Sequence, residues 1–221
     1  MVNSNLFLFT ALLSPIVVTI LTFLFSKQKN LRDSFGVIGG IISFISVLII
    51  TQNILNGHSH KLIIVNISNN LDIFFNVTPL GLVFSILCSS LWILAALYSV
   101  GYMRGNNEKN QTRFYSFYSI SIFAALAISW SGNLLTLFIF YEFLTFSTYA
   151  LVAHKQDEKS FKSGKIYLGI LVGTSVLLLL PAIIWVWLVA GTTDFTFGGI
   201  LKDKISATQS AILLMLFSFG I

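Results

Sequence analysis

One carboxylic acid interrupts an otherwise apolar stretch, GNLLTLFIFYEFLTFSTYALVA, over residues 132–153: Glu142, close to the middle. A stretch of roughly 20 such residues spans a bilayer, and an ionisable side chain at its centre costs at least about 2.5–3.5 kcal/mol on insertion scales. Thr145 and Tyr149 follow at i+3 and i+7, so a carboxyl, a hydroxyl and a phenol share one face of a helix. Such a stripe suits uptake and release of a proton, with the carboxyl's proton affinity moved by a nearby positive charge and by wetting of the site. A candidate for that charge is Lys165, about one turn inside the next apolar run and followed by Gly169 and Gly173. That small-xxx-small spacing lets another helix approach on the lysine's side.

Each of these residues also has a plainer reading. Glu142 can stay protonated and hydrogen-bond a neighbouring helix, although Ser or Thr would do the same at lower cost. Lys165 can snorkel to water. By helical rise, Glu142 lies about 16 Å from the end of its run and Lys165 about 6 Å from the end of its own. Water, or the Thr145–Tyr149 stripe, would have to connect them.

The elements that position these groups are membrane helices. The 221 residues are 56% hydrophobic and 10% charged, with a mean hydropathy of +0.87. That composition predicts an all-α fold, a polytopic transmembrane helical bundle. Helices are predicted at 5–26, 35–54, 77–103, 113–130, 133–153 and 161–190, with a seventh starting at 208: six full helices plus the start of a seventh. Ten of the 13 Lys and Arg residues fall in connections one, three and five, and only Lys61, Lys202 and Lys204 lie in the others. By the positive-inside rule the odd connections are cytoplasmic and the N-terminus is outside. The same distribution makes the basic pI of about 9.4 a topology signal, with no nucleic-acid partner implied. The first run lacks the basic lead and short apolar core of a secretory signal, and is expected to remain as a helix.

The rest of the chain reads as scaffold. Pro15 and Pro181 are expected to bend the first and sixth helices. Gly36, Gly39 and Gly40 allow the second helix to approach a neighbour closely. The first four helices are expected to bury no ionisable chemistry, and the connection KQKNLRDS reads as a simple basic anchor. The segment LIIVNISNNLDIFFNV, with Asn69-Asn70 between β-branched and aromatic residues, predicts a β-hairpin. His58 and His60 form an HxH without further ligands, and read as exposed loop histidines rather than a metal site. His154 is the remaining histidine, at the mouth of the fifth helix, so no haem-binding pair sits at membrane depth. A single cysteine, Cys88, permits no CxxC cluster, and no GxGxxG is present. No cofactor and no active site of the chain's own are expected.

The stretches NLLTLFIFYEFLTFSTYALVAHK and SGKIYLGILVGTSVLLLLPA, with LYSVGYMRG and QTRFYSFYSI before them, resemble the proton-translocating antiporter family. That family includes the large membrane subunits of NADH:quinone oxidoreductase and the A and D subunits of Mrp-type cation/proton antiporters, and the likeness reads closest to the D-like subunits. The resemblance implies a bundle of about fourteen helices built on inverted repeats. It matches Glu142 to the family's buried helix-five glutamate and Lys165 to its helix-six lysine. It also implies a broken seventh helix with a central lysine, whereas the chain ends at Phe219-Gly220-Ile221, and Thr78 stands where many relatives carry an acid. Residues 1–112 would then be the N-terminal helices with an outer loop, and 113–221 an incomplete first antiporter repeat.

The expected function is translocation of protons, alone or in exchange for Na+ or K+, by a membrane subunit of an antiporter or respiratory NADH:quinone oxidoreductase. A truncated, non-transporting structural remnant is the alternative. The expected partners are other membrane subunits and the lipid bilayer, in a bacterial cell (inner) membrane.

Overall fold

The structure, a computed structural model, describes residues 4–68 and 71–221. Its first helix, α1 (Ser4–Leu24), continues through Pro15 without interruption. Proline has no N–H to give the carbonyl four residues back, which is that of Ala11. Two hydroxyls take that carbonyl instead, Ser14 Oγ at 3.3 Å and Ser43 Oγ of the next helix at 3.2 Å. The backbone break at Pro15 thereby becomes an interhelical contact.

The next helix, α2 (Lys29–Leu55), starts six residues earlier than the sequence suggested. The expectation that the early helices bury no ionisable group is corrected here, since Arg32 and Asp33 are buried in the first turns of α2. They can be buried because they are paired. Arg32 Nε donates to Asp33 Oδ1 at 2.7 Å, and Arg104 Nε donates to Asp33 Oδ2 at 2.6 Å. Arg32 also donates to Gln111 Oε1 and Thr112 Oγ1 at 2.7 and 3.3 Å. Further along α2, a Cβ at Gly39 would run into Val18 of α1, while Gly36 and Gly40 face Ala96 and Ile93, so the close approach expected of these glycines is made on two sides.

The predicted hairpin forms from β1 (Lys61–Ser68) and β2 (Leu71–Asn76), antiparallel with Lys61 opposite Asn76, while its Asn69-Asn70 turn lies outside the described residues. His58 is exposed as expected, but His60 is fully buried, with its carbonyl accepting from Val77 N–H at 3.1 Å. The hairpin docks on the bundle through β2. Asn76 N–H donates to the Trp130 carbonyl at 2.8 Å, and Gly132 N–H donates to the Phe74 carbonyl at 3.0 Å. Gly132 is required there because a Cβ would enter the Phe74 ring.

Helix α3 (Pro79–Gly105) is capped by Thr78, whose hydroxyl accepts from Gly81 N–H, and Pro79 occupies the first helical position, where no donor is lost. Helix α4 (Gln111–Ser129) packs against α1, α3 and α5 (Leu134–Val152). The predicted sixth helix is one rod over 158–190 in three parts: α6 (Glu158–Thr174), a π-helical turn at Ser175–Leu179, and α7 (Leu180–Ala190). One turn before Pro181 the helix widens. Leu180 N–H reaches back to the Ser175 carbonyl, five residues away. Helix α8 (Ala207–Gly220) begins in a capping box of Ser206 and Gln209 and ends with Gly220 against the Leu179 backbone.

Five of these rods are long and apolar enough to cross a membrane: 5–24, α2, α3, α5 and 158–190. Helix α4 is of similar length but more polar, carrying Gln111, Thr112, Arg113 and four serines. Leu8, Val47, Ile50, Trp92, Leu126 and Trp130 are fully enclosed in the bundle. Phe9, Ile20, Phe23, Leu87, Leu91 and Leu94 point outward, as in a chain whose solvent is hydrocarbon. The fold is a polytopic helical membrane bundle with one appended hairpin.

Candidate functional site

Helix α5 carries the candidate site, and the hairpin sets its start. Asn133 caps α5, its Oδ1 accepting from Thr136 N–H at 2.7 Å while its Nδ2 donates to the Asp72 carbonyl at 2.6 Å. The Thr136 hydroxyl accepts from Phe74 N–H at 3.1 Å. These three bonds fix where α5 begins, and so the depth of every residue along it.

Two turns further on stands Glu142. It is half-buried, and its Oε1 is enclosed with no hydrogen-bond partner among the described residues. Tyr141 lies beside it in the chain, and both Glu142 and Tyr167 of α6 are close enough to act electrostatically on the Tyr141 hydroxyl. That hydroxyl donates to the Ile221 carbonyl at the end of α8 at 2.6 Å. The Tyr167 hydroxyl pairs with Thr148 Oγ1 at 2.9 Å, bridging α5 and α6. On the other side of α5, Ser147 and Ser121 of α4 pair at 2.9 Å. The Tyr141 hydroxyl, next to Glu142 in the chain, thus links α5 to α8, and the Thr148 and Tyr167 hydroxyls link α5 to α6; among the described residues no Lys or Arg forms an ion pair with Glu142.

The residues picked out in the sequence are placed unevenly. Thr145 is buried one turn from Glu142, but its hydroxyl is committed to the Tyr141 carbonyl at 3.1 Å. The Tyr149 ring forms the α5–α6 contact, so that a Cβ at Gly164 would come within 2.9 Å of Tyr149 Cε2. Lys165 is exposed. Among the described residues the ion pairs are those of Asp33, so Lys165 and Glu142 are not brought together. Gly169 and Gly173 face open space, and Gly164 is the glycine that seats α6 on α5.

Sequence reasoning missed Tyr141, Thr148 and Tyr167, and also the Arg32–Asp33–Arg104 cluster. The hydroxyl groups gave no periodic signal, because their partners lie on other helices. The cluster did leave one trace, an acid set among basic residues at the edge of an apolar run.

The family model for the transmembrane region of NADH:quinone oxidoreductase and Mrp antiporter subunits matches residues 131–221, which hold α5, Glu142 and everything after it. Over this region the chain is similar to the members of that family. Its relatives include subunit 5 of the chloroplast NAD(P)H-quinone oxidoreductase of Chara vulgaris, 31% identical over 132 residues, 56% of this chain and 20% of that protein. The A1 subunit of the Na+/H+ antiporter of Staphylococcus aureus is 31% identical over 91 residues, 41% of this chain and 11% of that protein. The fold likeness covers nearly the whole chain. It superposes with a TM-score of 0.79 on a chain of the membrane-bound sulfane sulfur reductase, an archaeal respiratory membrane complex. That superposition covers 97% of this chain and 33% of the other, at 17% identity. The chain thus spans a third or less of the length of these proteins, and the architecture it shares with the reductase chain covers nearly all of it. With its apolar helices, the likeness makes it a multi-pass integral membrane protein.

Proposed function

We propose that this chain is the N-terminal part of a membrane subunit that translocates protons, or exchanges them for a monovalent cation, with Glu142 as the group that takes up and releases the proton. The observation that carries this reading is the enclosed, unpartnered Oε1 of Glu142 inside a membrane-spanning helix. A carboxyl serving only as glue would be hydrogen-bonded to a neighbouring helix. Thr145, one turn along α5, together with the hydroxyls of Tyr141, Tyr167 and Thr148, serves as the relay from Glu142. Lys165 and Tyr149 lie toward the end of the bundle that carries the basic connections, which we assign to the cytoplasm. Lys165, with the open face at Gly169 and Gly173, would take part once another helix closes on that face.

The partners in this reading are other membrane subunits of an antiporter or respiratory complex, in a bacterial cell membrane, with H+ as the transported ion and Na+ or K+ as the exchanged one. Residues 1–112 serve as scaffold and 113–221 as the translocating part. The likenesses to the staphylococcal A1 protein and the chloroplast oxidoreductase protein favour an A-like or subunit-5-like position over a D-like one.

The test is Glu142→Gln, nearly the same in shape, in the intact assembly reconstituted into vesicles with an internal pH dye. Coupled proton movement falls at least about tenfold while assembly is unchanged. Transport at the wild-type rate overturns the reading.

A further inference from the structure

At the basic end of the bundle two connections are clasped together, and neither is used by the proposed proton site. The α3–α4 connection holds Asn107 and Asn110 in the left-handed region, at φ 51° and 56°, and the α5–α6 connection holds Gln156 there, at φ 57°. Asparagine enters this region more readily than other L-residues, and glutamine at a cost. A side-chain bond joins the two connections across the gap, Asn110 Nδ2 donating to Gln156 Oε1 at 2.9 Å. Behind that bond sits His154, half-buried, its ring meeting the edge of Phe114 at 5.5 Å between centroids. A pocket opens beside it, lined by Asn107, Glu108, Lys109, Lys155 and Asp157. Arg113 of α4 is close enough to act electrostatically on the ring and donates to the Ala150 carbonyl at 3.2 Å.

We propose that His154 is a pH-controlled latch between these two connections, shut while its imidazole is neutral and released when it takes up a proton. The charges facing it set the direction. From α4 comes Arg113; from the α3–α4 connection come Glu108 and Lys109; from its own connection come Lys155 and Asp157. Three cations outnumber two carboxylates, and an imidazolium in this half-buried place adds a fourth positive charge. Burial, then Arg113, hold its pKa below the usual 6.5, against an opposing pull from Glu108 and the Lys109 backbone. A proton taken up here therefore favours any arrangement that returns the ring to water, and the three left-handed residues relax in the same movement. Release would bare the α5–α6 seam at Gly164 and Tyr149, one turn inward. The latch does not depend on Glu142 carrying protons.

Amide hydrogen exchange of the 221-residue chain in lipid nanodiscs, corrected for intrinsic rates, tests it at about pH 8 and about pH 5. In the wild type, protection over 106–111 and 153–157 drops by about tenfold in acid while α2 and α3 stay protected. His154→Gln stays protected at both values, and His154→Lys is open at both. Asn110→Ala, which leaves the histidine in place, is also open at both. The latch is overturned if wild-type protection is the same at the two values, if His154→Gln keeps the acid loss, or if either His154→Lys or Asn110→Ala remains protected. Fluorescence of the buried Trp92 and Trp130 confirms that each variant is folded.

Discussion

Asp33→Ala should be among the most damaging single changes in the first half of the chain. Its side chain is only 2% exposed and neutralises two guanidinium groups, at 2.7 Å from Arg32 and 2.6 Å from Arg104. Hydrogen bonds to charged groups contribute about 1.5–3 kcal/mol each, and removing one member of a buried ion pair costs about 3–5 kcal/mol. The two arginines do not suffer alike. The Arg104 side chain is 41% exposed and can rehydrate, so its share shrinks to about 1 kcal/mol or less. The Arg32 side chain is 6% exposed and cannot, although Gln111 and Thr112 keep two of its donors occupied. The expected cost is therefore about 3 kcal/mol, at the lower end of the buried-pair range. Arg104→Gln should cost about 1 kcal/mol, because it removes only the hydrated arm. Equilibrium unfolding in mixed detergent, followed by Trp92 and Trp130 fluorescence, measures both. A cost for Asp33→Ala below about 1 kcal/mol, or below that of Arg104→Gln, would refute this account of the cluster.

Other expectations concern packing, hydroxyl pairing and pH. Gly132→Ala drives a methyl into the Phe74 ring and should destabilise by about 1–3 kcal/mol, whereas Gly169→Ala, which meets nothing within 4 Å, should stay within about 0.5 kcal/mol; the same unfolding assay separates them. Thr148→Val removes the link to Tyr167 and should cost about 0.6–1 kcal/mol, with a matching loss for Tyr167→Phe and little added in the double variant. For His154 the folded pKa lies below 6.5, so the unfolded chain binds more protons between the two values. Its stability contribution is thus complete above about pH 6.5 and lost as the pH falls through the folded value, which a pH series of unfolding midpoints with His154→Gln as reference will show. Asp157 has its carboxyl pKa lowered by the Ser160 hydroxyl and N–H, so the first turn of α6 should fray in acid only as the pH drops below the ordinary 3.8, seen as faster amide exchange at Ser160.

The bilayer made much of this fold readable, because it fixes helix length and forbids unpaired backbone. Runs such as 5–24 and 79–105 stand out by hydropathy alone, and the hairpin by its β-branched residues around Asn69-Asn70. The start of α2 was hidden because Arg32 and Asp33 look like a polar connection until Arg104, 71 residues away from Asp33, is known to meet them. Glu142 was legible as a charge where charge is costly, and the α5 stripe followed from helical spacing. Its surroundings were not legible. Spacing along one helix cannot show that Thr145 turns back to its own backbone, that Tyr167 reaches across from α6, or that Tyr141 meets the end of α8. Lys165 was legible as a lysine one turn inside an apolar run, with snorkelling to water as its plainer reading, and the structure leaves it exposed.

The π-helical turn at Ser175–Leu179 changes how residues on either side of it can be compared. Its wider winding amounts to one surplus residue, so side chains beyond it are rotated by about 100° from where an unbroken α-helix would aim them. Ala182, Ile183 and Val186 are buried with the surplus in place. Deleting one residue between 175 and 179 would restore α-helical winding yet rotate those three away from the core and move Leu179 from under Gly220. Between relatives, a gap or an added residue at this point therefore changes which side of α7 faces inward, with every amino acid of α7 unchanged.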